Sequence, residues 1–186
     1  MNIANLLPDY QITKTIDSYP LSLDMIKRHL RLDNDFVDDD DYIMELLYAA
    51  TQMAENFVGH AIAKTLNVLR IDDFEDDWVQ IMEGNFISVV SVTNSAGGSL
   101  GTVHQTSKHY DYFTIEWDSP IQADPITITF YTGYDTTNEI PVLLKQAILI
   151  GIADFYDNHR SSLNWNGVQD SKIFERILQQ YQSYRF

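Results

Sequence analysis

The period of the apolar residues changes twice along this chain, and that double switch restricts the folds open to it. From Ile43 the apolar side chains recur every three or four residues, through Leu46, Leu47, Ala50, Met53, Ala54 and Phe57. This is the wide stripe of a helix packed on a core. Asp38 to Asp41 supply its cap and first-turn acids, and Gly59 ends it as a left-handed stop. From residue 64 the period falls to two. Residues 64–72 (KTLNVLRID), Trp78 to Met82, Phe86 to Thr93, Tyr110 to Trp117 and Ile126 to Tyr131 read as strands. Asn94 to Gly101 (NSAGGSLG) reads as a mobile hairpin tip rich in turn formers. After Pro141 the helical period returns, with Leu144, Ala147, Ile148, Gly151, Ile152 and Phe155 at helical spacing. Leu149 and Ile150 widen that apolar surface until the helix is nearly surrounded.

The ends of the chain carry weaker signals. Residues 1–20 read as irregular, because Pro8 and Pro20 discourage helix. Ser22 caps a short helix in which Asp24 lies near the positive end and Leu23, Ile26 and Leu30 share a face. A last helix starts near Asp170 and includes Ile173, Phe174, Ile177, Leu178 and Tyr181. The two groups of helices must meet to bury their stripes. The expected fold is therefore α+β: an antiparallel helical bundle of about four helices, with a small antiparallel β-sheet inserted between the second and third. The expected organisation is one domain over 1–186. It comprises an N-terminal segment and two helices over 1–63, a β insertion over 64–135 and C-terminal helices over 136–186.

Charge and composition remove several function classes. The formal net charge is −15. Acids concentrate at Asp33, Asp35 and Asp38 to Asp41, and again at Asp72, Asp73, Glu75, Asp76 and Asp77. Binding phosphates needs clustered cations, and the basic cluster here is only Lys27, Arg28 and Arg31. DNA binding as the main task is not expected. No apolar run approaches the roughly 18 residues of a membrane span, and the first residues lack a signal-peptide pattern, so an intracellular soluble protein is expected. With no cysteine there are no disulfides, thiolate nucleophiles or cysteine zinc sites. Asp33 and Asp35 begin like a calcium loop, but Val37 takes the next ligand position and the turn glycine is missing. The run IDDFEDDW reads as a polar connection between two strands. His29, His60, His104, His109 and His159 form no HExxH motif, and neither G-x-S-x-G nor a phosphate-binding glycine loop occurs. The expectation is a non-enzyme with no catalytic, cofactor-binding or metal-binding residue.

Aromatic residues crowd the C-terminal part. Phe174 reads as core, whereas Trp165, Tyr156, Tyr181, Tyr184 and Phe186 are candidate interface residues, with Trp165 set in a polar loop.

Four stretches, in order, resemble the head–tail connector (adaptor) proteins of tailed bacteriophages. They are PLSLDMIKRHLRLD at 20–33, DDDYIMELLYAATQMAENFVGHAI at 39–62, ITITFYTGYDTTNEIPVLLKQAILIGIADFYDNH at 126–159 and QQYQSYRF at 179–186. The chain departs from the family pattern at Thr132, at His159 before Arg160, and at Ser183, where the family has proline. The resemblance implies a structural virion protein without catalysis. Its subunits form a cyclic ring, a dodecamer when assembled, at the head–tail junction, after a stay in the host cytoplasm. The implied partners are further copies of the chain, the portal protein above it and the next tail-side connector or tail-completion protein. DNA passes through without sequence-specific binding, and no membrane is involved. Asp38, Asp39, Asp40, Asp73 and Asp76 are then candidate channel-lining acids, because a wall of like charge lets DNA slide. Two competing readings are a prophage-derived adaptor that no longer assembles, and an α+β enzyme or ligand-binding protein without a recognisable motif.

Overall fold

The computed structural model describes residues 10–100, 103, 105–109, 111–160 and 172–182. The chain forms two compact units, one from Met1–Asp17 with Lys64–Gly133 and one from Ser18–Ala63 with Tyr134–Phe186.

The first unit is built of strands. Strand β7 (Ile126–Thr132) shows why: Ile126, Ile128, Phe130 and Thr132 are buried, and the residues between them are half-buried. Strands β2 (Lys64–Ile71) and β4 (Phe86–Asn94) pair antiparallel on either side of β7, and β1 (Tyr10–Ser18) lies beyond β2, giving the order β1-β2-β7-β4. A second sheet has the order β3-β6-β5, from β3 (Phe74–Ile81), β6 (Phe113–Ala123) and β5 (Gln105–Lys108). Both sheets contribute to one core. Phe113 of β6 stacks on Phe86 of β4 at 4.0 Å between ring centroids and meets Phe130 of β7 edge-on at 5.0 Å. Leu69, Ile71, Val79, Ile81, Ile115 and Trp117 complete its centre. Each fully buried aliphatic or aromatic side chain contributes about 1.5–3 kcal/mol.

The second unit is helical. Ser22 Oγ accepts from the Met25 N–H at 3.4 Å at the start of α1 (Leu23–Leu30). Helix α2 (Asp40–Val58) ends at Gly59, whose φ of 85° is the left-handed stop expected there. Helix α3 (Val142–Arg160) follows Pro141, and α4 (Lys172–Leu178) leads into a 3-10 turn at Gln179–Tyr181. Ile43, Leu47, Ala50 and Ala54 of α2 bury against Leu144, Ala147, Ile148 and Ile152 of α3, with Phe174 and Leu178 of α4 in the same core. The predicted stripes of α2 and α3 thus pack as expected, and Met53 is the exposed exception.

The expected architecture is corrected in three respects. The β structure is not a small sheet inserted into a helical bundle. It is seven strands in two antiparallel sheets with a core of their own. Nor does all of it lie between the second and third helices, because β1 precedes α1. Residues 10–18 are therefore not irregular. Pro8 and Pro20 bound a strand rich in β-branched residues, in which Ile12 and Ile16 are half-buried. Finally, the acidic run at 72–77 is not only a connection. Asp72 and Asp73 turn the chain, with Asp73 at φ 51°, and Phe74 to Asp77 already belong to β3. Acids are rare in strands, but β3 is an edge strand, where charge guards against unwanted pairing. The polar strand β5 (QTSK) gave no apolar alternation to read.

Candidate functional site

The acids at the start of α2 divide into two pairs. Asp38 and Asp41 are exposed. Asp40 instead faces Lys27, whose ammonium lies 2.6 Å from its Oδ1 and also donates to the Asn34 carbonyl at 3.2 Å. Lys27 is only 3% exposed, so this member of the one basic cluster is a tie between α1 and α2 and is not available to phosphate. Asp39 accepts from the Tyr156 hydroxyl at 2.6 Å, which ties α2 to α3. Tyr156, a candidate interface residue, is 5% exposed, and its ring lies 6.2 Å from that of Tyr42 within the helical core. Tyr181 is half-buried against the same core. Trp165, Tyr184 and Phe186 lie outside the described residues.

Glu55 closes the far end of α2. Its Oε1 accepts from the backbone N–H groups of Ile62 and Ala63 at 2.7 and 2.8 Å. A carboxylate near a helix C-terminus is electrostatically unfavourable. Two charge-assisted bonds offset that cost and fix the chain where it leaves for β2. From sequence Lys27 is named only as part of the basic cluster, and Glu55 is not singled out. The signal available was their place inside the recognised stretches, KRHLRLD and AENFVGHAI.

In the strand unit, Asp73 is exposed in the β2–β3 turn and Asp76 is half-buried on β3. Of the five candidate channel acids, Asp38 and Asp73 are exposed, Asp39 and Asp40 hold helices together, and Asp76 faces neither way fully. Trp78 was also missed. It is 40% exposed on β3, after a register shift between Asp76 and Trp78. Among the described residues no three His, Asp or Glu side chains converge as a metal site, and no helix is long and apolar enough to cross a membrane. The geometry is that of tied elements and exposed surfaces.

Comparison with known proteins agrees with this character. Residues 20–92 match the model of the phage gp6-like head-tail connector protein family. Comparison with curated protein sequences gives no match. Three solved structures share the fold over 95% of this chain and 97% of theirs. They are described as the neck of an empty gene transfer agent particle computed with C6 symmetry (17% identity, TM-score 0.72), the virion of a native gene transfer agent particle (16%, 0.71) and the neck of the native particle computed with C12 symmetry (13%, 0.67). The chain is thus similar to the phage gp6-like head-tail connector proteins over residues 20–92, and it shares the fold of these particle proteins along nearly its whole length.

Proposed function

We propose that this chain is a structural virion protein that joins the capsid portal to the tail at the head–tail junction of a phage-like particle. The observation that carries the reading is the coincidence of two likenesses, the connector pattern over residues 20–92 and the neck-protein fold over 95% of the chain. The subunits close into a ring, a dodecamer when assembled, which docks beneath the portal protein and extends the DNA channel. The C6 and C12 symmetries of the similar necks support a cyclic arrangement. In such a ring one face of each subunit meets a different face of the next. The next tail-side connector or tail-completion protein docks on the opposite end. The protein waits in the host cytoplasm and does no chemistry of its own.

Within this reading Trp165, Tyr181, Tyr184 and Phe186 are contact residues. Tyr156 acts indirectly, by holding α3 to Asp39. Asp38 and Asp73 are the acids best placed to face passing DNA, since both are exposed. Electron microscopy of the full chain mixed with the portal protein of its own particle tests the proposal. A coaxial ring beneath the portal is expected, with Asp38 and Asp73 towards the lumen. A chain that never joins the portal particle overturns the reading, and a ring with those acids outward overturns the channel role alone.

A further inference from the structure

The outer face of the three-stranded sheet carries an aromatic residue that the fold has no use for. Along β3, Phe74, Val79 and Ile81 are buried. Simple alternation from Phe74 would send Trp78 inward with it. The register shift between Asp76 and Trp78 reverses this and leaves the indole 40% exposed. Directly opposite Trp78 on β6 stands Glu116, half-buried between the inward Ile115 and Trp117. Facing residues on adjacent strands lie about 5 Å apart at Cβ. The indole and the carboxylate therefore share one patch, with Glu75 exposed farther along the same strand. No cation neutralises Glu116 or Glu75 among the described residues.

We propose that this face, centred on Trp78 and Glu116, docks an arginine-bearing segment of a partner protein. The pair offers what a guanidinium needs, an aromatic face to stack on and a carboxylate to receive its N–H groups. Charge guarding of the edge explains the acids but not a tryptophan turned towards solvent. A second copy of this chain is a poor occupant. Five of its twelve Lys and Arg residues, Lys14, Lys27, Arg28, Lys64 and Arg70, are held in ion pairs, and the whole chain carries −15, so two copies repel at an acidic face. The same charge turns nucleic acid away. The surface does not depend on the ring reading.

The test uses the full chain and a fluorescein-labelled peptide alternating threonine and arginine, with binding read by anisotropy. In about 50 mM salt, where screening is moderate, W78A is expected to weaken binding about fivefold. E116Q weakens it too, and the two losses combine to less than their product because both contact one group. A control removing the same single charge as E116Q from the helical unit, D33N, leaves binding within about twofold. If W78A does not fold by circular dichroism, W78F with E116Q carries the test. Unchanged affinity in W78A, or in E116Q and W78F, overturns the proposal, as does an equal loss in the control. Self-association of the free chain that W78A abolishes also overturns it, by making the occupant a second copy.

Discussion

At the residue scale, the charges that look alike in sequence do different work. Lys27 and Asp40 form a partly buried ion pair in which the lysine is the hidden member, its side chain 4% exposed against 27% for the acid. Removing one partner therefore has unequal consequences. D40A leaves an ammonium buried with only the Asn34 carbonyl, and is expected to cost about 2–4 kcal/mol of stability. K27M leaves an acid that can still reach water and puts an apolar stem in an apolar place. It is expected to cost about 1 kcal/mol or less. Urea unfolding of the two variants checks the order. Glu55 makes a second prediction. E55A strands the N–H groups of Ile62 and Ala63 and should destabilise by about 2–3 kcal/mol. E55Q keeps one acceptor oxygen and should recover roughly half, measured in the same way.

At the scale of elements, close approach decides what the helices tolerate. A Cβ on Gly151 of α3 would meet the Phe174 ring of α4 at 3.3 Å and the Ala50 Cβ of α2 at 3.4 Å. Alanine there gains helix propensity of about 1 kcal/mol but presses on the ring. G151A is therefore expected to be near neutral. G151L overfills the same space and should cost about 1–3 kcal/mol, with α4 the element displaced. Denaturant melts give the energies, and hydrogen exchange across residues 172–178 shows whether α4 has loosened. The strands teach the converse lesson. Their inner faces are legible as alternation, but β3 and β6 break it. Four residues of β6, Trp117 to Pro120, have no counterpart in its register with β3, which passes from Glu116 to Ile121. Proline is tolerated at such an interruption. Alternation therefore ends at Trp117 in the sequence, and the acidic run carries no strand pattern of its own.

At the scale of the whole molecule, the proposed ring requires subunits of charge −15 to overcome self-repulsion. Raising salt from about 20 to 200 mM shortens the range of that repulsion, so the assembled fraction should rise, as read by mass photometry. A fall would mean that opposite charges dominate the contacts between copies. The chain's sequence by itself determined where helices and strands begin to alternate, the stop at Gly59, the cap at Ser22 and the stripes that meet in the helical core. These depend on neighbours three or four residues away and on side chains that must leave water. It also carried the connector resemblance. The tertiary structure alone decided that the strands form two sheets with their own core, that β1 joins them, and that Asp40 and Asp39 are ties to Lys27 and Tyr156. It alone turned Trp78 outward. Each of these rests on a partner distant in sequence or on a one-residue shift in register. Local periodicity cannot encode either, because a strand reads the same from both faces until its neighbour fixes which is buried.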